Sequence, residues 1–383
     1  MKTERLYYND SDMRSFSATV LSCEPAQQGY KITLDRTAFY PEGGGQPGDC
    51  GMLSGATVFD TQHEGDQIVH YCEQPLPVGS TVQGEIDFAR RFDYMQQHSG
   101  EHIVSGIVNR RFGYINVGFH MGAEMTTIDF SGMLTMEEVR KIEKEANEAV
   151  WKNLPIEITF LDDENKDTVS YRSKKELSGE IRIVTVPDYD VCACCGTHVH
   201  FTGEIGLIKL FTCQKFHEGV RIEMLCGRKA YEYANVLMEQ NRQNSVLLSA
   251  KPQETSECVR RTLDELSAAK YRIGQMERQF VASLIASNEE ENPIVFADLS
   301  PDAQRSLADG LLSSVSGVCA TFCGSDEDGY RYVIAQKSGN LKAFCQKLNA
   351  ALCGRGGGRP EFIQGSVQAK RAEIEAFLKG ERN

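Results

Sequence analysis

No apolar run in this sequence is long enough to cross a membrane, and the opening "MKTERLYYNDSDMRSFSATV" has no apolar core of signal-peptide length. Both absences lead to the expectation of a cytoplasmic protein without a membrane partner. Positive charge is in short supply. Against 54 Asp and Glu stand 41 Lys and Arg, a net charge of −13, which disfavours wrapping long duplex nucleic acid but leaves room for a local basic groove holding one RNA end. No internal repeat of useful length occurs. Cysteine is plentiful, but its odd count of 13, scattered and without a secretory signal, fits reduced thiols, some of them ligating metal, better than a disulfide framework. At 383 residues the chain is long for one core and suggests two or three domains.

From Phe16 to about Asp87, β-rich runs such as "SATVLSCE", "YKITLDRTAFY" and "STVQGEIDF" alternate with Gly, Pro and Asp. They read as a small antiparallel barrel or sandwich. "RRFDYMQQHSGEHIVSGIVNRRFG" reads as a helix closed by Gly113, and Thr135 with Glu138 makes a capping box for a second helix. "TIDFSG", "IEITFL" and "IRIVTV" are expected strands of an α+β domain. Val259, Leu263, Leu266, Ile273, Met276, Phe280 and Leu284 then recur at mostly three, four or seven residues, an amphipathic helix of coiled-coil character interrupted by Lys270. A compact α/β unit follows. The expected division is 1–90, 91–233, 234–290 and 291–383.

Chemistry concentrates in four places. In "MQQHSGEHIVSGIV", His98 and His102 share one helical face at i and i+4 and could grip one metal ion. The same letters read H-x-x-E-H, the signature of inverted zinc proteases with Glu101 as general base. Two ligands are too few for zinc, which takes three or four N, S or O donors. "DVCACCGTHVHFTGEIG" supplies candidates: Cys194 or its neighbours Cys192 and Cys195, and His198 or His200. Strand alternation puts Cys192 and Cys194 on one face. "LDRTAFYPEGGGQPGDCG" carries a glycine triplet flanked by Thr37, Glu42 and Gln46. Lacking a Lys-Ser/Thr ending and a following helix, it is no P-loop; on local pattern it is either an ordinary hairpin turn or a loop that approaches a ligand. "GRGGGRPEFIQGS" places Arg355 and Arg359 around a second triplet, as an RNA or phosphate contact or as a tight turn with a solvated charge pair.

"FYPEGGGQPGD", "HSGEH", "CCGTHVHFTGEIG" and "GVRIE", in this order, resemble the editing module of alanyl-tRNA synthetases and of their free-standing relatives, the AlaX proteins. The tail resembles the DHH-associated C-terminal domain of the full synthetase. No class II aminoacylation domain is expected ahead of the barrel, so the likeness is to the long form of AlaX. The implied fold is α+β: an N-terminal barrel, a zinc-containing editing domain, a helical connector and a DHH-associated α/β domain. The implied metal ligands are His98, His102, Cys194 and His198, with Cys194 and His198 selected by the C-x-G-T-H pattern, and the implied cofactor is zinc. Cys195 stands where the family has its first glycine. The pattern leaves the position of Glu101 variable. Thr37 matches a threonine whose hydroxyl helps recognise serine, and Gln46 a glutamine beside the pocket. Glu42 is expected either as a general base or as a prop for the glycine loop. The family's arginine pair is reduced to Arg221, which with Arg355 and Arg359 forms the expected RNA contact.

The resemblance implies an ATP-independent hydrolase. It would deacylate tRNA(Ala) mischarged with serine or glycine, with a homodimer forming through the connector or the C-terminal domain. Three other readings compete. The protease reading needs an acidic third ligand. A non-catalytic tRNA- or synthetase-binding protein would suit the acidic charge and the helical segment. A threonyl-synthetase-like editing module shares the histidine and Cys/His layout but not the "FYPEGGGQ" motif.

Overall fold

The structure, a computed structural model, describes residues 2–162, 165, 168–173 and 180–381. It is a mixed α+β fold dividing into two compact units, Met1–Asn241 and Arg242–Asn383.

The first unit opens with β1 (Glu4–Arg5), β2 (Ser15–Pro25), β3 (Tyr30–Leu34), β4 (Arg36–Thr37), β5 (Gly51–Leu53), β6 (Ala56–Glu64), β7 (Gln67–Cys72) and β8 (Thr81–Ile86). Six of these close a barrel in the order β2-β3-β7-β6-β5-β8. Alternation decides which side chains fill it: along β8, Val82, Gly84 and Ile86 point in while Thr81, Gln83 and Glu85 stay exposed. Val20, Ile32, Leu34, Phe39, Leu53 and Val58 complete the barrel core.

Helix α1 (Phe88–Phe112) follows directly. Asp87 caps its start by accepting the Arg90 N–H, and Gly113, at φ +70°, ends it as the sequence indicates. Residues 93–108 of α1 are buried without a break, so it is a core helix wrapped on all sides rather than a surface helix with one apolar face. Around it lie β9 (Asn116–Met121), β10 (Thr126–Phe130), α2 (Met136–Lys152), β11 (Glu157–Leu161), β12 (Ile181–Val186), β13 (Asp190–Ala193), β14 (Ile208–Phe216) and β15 (Gly219–Cys226). They form two sheets, β14-β15-β10-β9 and β11-β12-β13. The capping box of Thr135 and Glu138 starts α2. At Gly106 a Cβ would sit 2.2 Å from the Tyr189 carbonyl oxygen, so only glycine lets α1 lie this close to the start of β13.

A buried ion pair fixes α1 to the barrel. Arg91, fully buried, donates from Nε to Asp49 (2.8 Å) and from its terminal nitrogens to the carbonyls of Ser11 and Ala38. Breaking such a pair from one side costs about 3–5 kcal/mol, because the remaining charge is left stranded.

Helix α3 (Gly227–Leu247) crosses the division between the units. The second unit holds α4 (Thr255–Ala286), β16 (Ile294–Phe296), α5 (Pro301–Ser314), β17 (Val318–Ser325), β18 (Gly329–Gln336), α6 (Lys342–Ala351), β19 (Arg355–Arg359), β20 (Phe362–Val367) and α7 (Arg371–Gly380). Its sheet runs β16-β17-β18-β20-β19. The stripe expected on α4 is present, but Val259, Leu263, Leu266, Ile273, Met276 and Phe280 face solvent; only the C-terminal end, with Val281 and Leu284, joins the core. The second glycine triplet is not a tight turn. It is the exposed edge strand β19, paired antiparallel with β20 from Arg355↔Ser366 to Arg359↔Phe362.

Candidate metal centre

His98, His102, Cys194 and His198 come together, their ligand atoms all within 4.8 Å of one another. Residues 98 and 102 are one turn apart on α1. Cys194 follows β13, and the loop after it returns His198 four residues later. Cys194 Sγ lies 3.4 Å from Nε2 of His98 and 3.4 Å from Nε2 of His198. A tetrahedral zinc with one sulfur and three nitrogen ligands requires ligand-to-ligand separations of about 3.4–3.6 Å. Geometry and donor chemistry both fit zinc.

Each imidazole is aimed through its other nitrogen. His98 Nδ1 is 3.0 Å from Gln46 Oε1, an acceptor, so the proton sits on Nδ1 and Nε2 is free to coordinate. His102 Nδ1 is held 2.8 Å from Asp190, whose carboxylate also receives Arg172 through Nε (2.7 Å) and a terminal nitrogen (2.8 Å). His198 Nδ1 approaches the Ser99 hydroxyl at 3.4 Å, and that hydroxyl accepts the Val199 N–H. Arg182 clamps the metal-binding loop, donating from one terminal nitrogen to the carbonyls of Cys194 (2.8 Å) and Gly196 (3.0 Å).

Burial alone would push the Cys194 thiol up. The charges of His98 and His198 and hydrogen bonds from His102 and His198 outweigh it and hold the thiol well below its ordinary range. Burial lowers His102, but Asp190 and Cys194 overcome that and raise it well above the usual imidazole value. The site is therefore disposed to present a thiolate. Cys192 differs: burial pushes it up to about 11, and it falls into a second grouping with His102 and Asp190. Cys195 is exposed, and His200 faces Asp12 at 3.3 Å. Neither joins the cluster.

A cavity of about 340 Å³ opens onto His98, His102 and Cys194, within the range of small-ligand sites. Tyr7, Tyr8, Tyr40 and Phe119 supply aromatic wall, Gly43 and Gly44 bring the first glycine triplet to it, and Glu101, Arg172 and Arg182 are its buried or half-buried charges. The triplet is a tight turn: Gly43 and Gln46 exchange N–H···O bonds of 3.0 Å, and Gly44 and Gly45 take φ of +62° and +88°. A Cβ on Gly45 would lie 2.3 Å from the Phe119 carbonyl oxygen. The turn therefore packs directly on β9 and delivers Gln46 to His98.

Thr37 and Gln46 are placed otherwise than expected, and Glu42 falls on one of its two expected alternatives. Thr37 is fully buried and does not line the cavity. His70 Nδ1 faces the Ile32 carbonyl at 3.1 Å and must carry the ring proton, so the Thr37 hydroxyl donates to His70 Nε2 (2.8 Å) and accepts the Phe39 N–H. Its proton is committed and unavailable to a serine side chain. Gln46 supports His98, donating also to Thr197 (2.8 Å). Glu42 is exposed, outside the cavity wall, and accepts from Gln62 at 2.7 Å. Arg221 spends its fork on Asp129 (2.7 and 2.8 Å) across β10 and β15, while Arg355 and Arg359 are exposed on β19. Asp190, Arg172, Arg182 and Ser99 escaped sequence reading because each acts on a ligand far away in the chain. Glu101, which the motif leaves variable, turns out to line the cavity.

Comparison with known proteins agrees with the motifs. Residues 181–223 match the threonyl and alanyl tRNA synthetase second additional domain, and residues 3–90 match class II (A) tRNA synthetases. The chain is 26% identical, over 97% of its length, to the alanyl-tRNA editing protein Aarsd1 of Danio rerio, covering 96% of that protein. The corresponding figures for Aarsd1-A of Xenopus laevis are 27%, 94% and 93%. It is 35% identical over 76% of its length to an alanine–tRNA ligase of Pyrobaculum neutrophilum, of which it spans 34%, about a third of the ligase's length. The likeness to alanyl-tRNA editing proteins and alanine–tRNA ligases thus holds over most of the chain.

Proposed function

We propose that this relative of the alanyl-tRNA editing proteins is itself a zinc-dependent deacylase that hydrolyses the ester of mischarged tRNA(Ala), chiefly the seryl and also the glycyl form. The observation that carries the reading is the buried three-histidine, one-cysteine cluster opening onto an aromatic cavity. On this view residues 1–90 supply the glycine turn and Gln46, 91–233 the metal ligands, 234–290 a connector and a dimer contact, and 291–383 an RNA-contacting domain through Arg355 and Arg359.

Zinc bound there would supply Lewis acidity, orienting a water and polarising the ester carbonyl. The protein's part is positioning. Gln46, Asp190 and Ser99 fix the three rings, Arg182 fixes the loop of Cys194, and the tyrosines and Phe119 exclude bulk water and offer stacking faces to a terminal base. Editing is needed because an apolar alanine site cannot strongly reject a substrate that merely adds a hydroxyl, whereas a second site with polar groups can select it. Thr37 serves this pocket indirectly, as a buried brace between β4 and His70.

The peptidase reading loses its footing here. The Asp190 carboxylate sits behind His102, paired with Arg172, and the third and fourth donors are Cys194 and His198. His102→Ala separates enzyme from binder. Lost zinc and lost seryl-tRNA(Ala) hydrolysis, with tRNA still bound, are the expected results; full hydrolysis in the zinc-free variant would end the proposal.

A further inference from the structure

Glu101 is a buried charge of the cavity that nothing above employs. It sits on α1 three residues after His98 and immediately before His102, on the face of the metal ligands, and is only 4% exposed. One of its oxygens is fully engaged: Oε1 accepts the Ser105 hydroxyl and the Asn116 amide (2.5 Å), and that amide also reaches the Ser105 hydroxyl at 3.2 Å. The other oxygen, Oε2, has no hydrogen bond among the described residues, and the residue lines the cavity. The carboxylate is thus held rigidly by one oxygen and presents the other.

Among the described residues no cation of the wall is hydrogen-bonded to it; Arg172 reaches it only as a through-space charge. Arg172 has its fork on Asp190, and Arg182 donates to the Cys194 and Gly196 carbonyls. A buried carboxylate oxygen without a directly bonded donor is costly, so an arrangement that fixes one invites a cationic donor from outside. The substrate of the proposed reaction brings a compact one, the α-ammonium group, attached to the carbon next to the ester carbonyl. We propose that Glu101 Oε2 anchors this α-ammonium; the assignment rests on the deacylase reading. It makes the site selective for esters with a free α-amino group. Peptidyl- and N-acylated tRNAs, which lack that charge, would be spared even where their side chain fits.

The test uses the zinc-loaded full chain and two non-hydrolysable probes, 3′-seryl-amido-3′-deoxyadenosine and its N-acetyl form. A charge-assisted bond at a buried site predicts that the wild type binds the free amine about 10- to 100-fold tighter. Glu101→Gln should erase that preference while keeping zinc content, unfolding midpoint and affinity for the N-acetyl probe. Glu101→Asp, shorter by one carbon, should restore part of it. In hydrolysis, Glu101→Gln should lower kcat/KM on seryl-tRNA(Ala) and leave the slow reaction of N-acetylseryl-tRNA(Ala) unchanged. Equal losses on both esters would make Glu101 a general base or a structural prop and overturn the anchor, as would loss of zinc. The two readings fail separately: a wild type that hydrolyses seryl-tRNA(Ala) without preferring the free amine refutes only the anchor. One that prefers the free amine yet hydrolyses neither ester refutes only the deacylase.

Discussion

The chain contains two glycine triplets, one in each unit, and they do opposite things. Gly43–Gly45 forms a tight turn with positive φ at its last two positions, packed on β9 and followed by a glutamine that holds His98. Gly356–Gly358 lies in an exposed edge strand between two solvated arginines. Three consecutive glycines therefore say only that the backbone comes close to something. What it approaches is decided by residues elsewhere: Phe119 and His98 for the first triplet, β20 for the second. The first triplet serves geometry at a buried centre; on our reading the second leaves an edge flat enough for RNA.

Substitution at Gly45 should break the contrast most violently. Gly45→Ala combines a left-handed backbone with a Cβ forced onto the Phe119 carbonyl, and should cost about 2–4 kcal/mol. By displacing Gln46 it should also lower zinc affinity about 10- to 100-fold in a competition titration. Acid should separate the units next. All 8 histidines precede residue 242, so the second unit has none. Burial pushes His70 down to about 4 from its ordinary value, with the Ile32 carbonyl opposing. Its neutral form is the folded one, so the stability is fully present above about pH 6.5 and lost as pH falls toward 4, up to about 3 kcal/mol. Unfolding followed by probes in each unit should show the first alone losing this increment, and His70→Asn should remove it.

Smaller effects are expected at the second triplet. Arg355→Ala with Arg359→Ala should weaken tRNA binding several-fold and reduce the salt slope by about 1–2, leaving zinc content untouched. Gly357→Ala meets nothing within 4 Å at ordinary φ and should change stability by less than about 0.5 kcal/mol in denaturant titration. A large loss there would mean that the two triplets are more alike than the structure indicates.

Local signals in the sequence were legible where the physics is local. β-rich runs between Gly, Pro and Asp marked the barrel strands, Gly113 ends α1, and Thr135 with Glu138 start α2 as their capping pattern requires. The four residues of the metal cluster were readable through motif order, although 92 positions separate His102 from Cys194. Supporting residues were not. Asp190 opens the Cys/His loop in sequence, but nothing local shows that Gly106 draws α1 close enough for His102 to meet it. Thr37 misled for the converse reason: it sits beside the glycine motif, but its hydroxyl points at His70, a residue with no pattern around it. Glu101 looked expendable because its partners, Ser105 and Asn116, are ordinary residues that only the fold assembles.

On our reading the histidine–cysteine cluster is a hydrolytic zinc centre tuned to mischarged tRNA. The most direct measurement is kcat/KM of the purified chain on seryl-, glycyl- and alanyl-tRNA(Ala), before chelation, after it, and after zinc is returned. Rapid loss of the seryl ester, slower loss of the glycyl ester and sparing of the alanyl ester are expected, with activity abolished by chelation and restored by zinc. Hydrolysis that survives a metal-free preparation, or that treats all three esters alike, would contradict it.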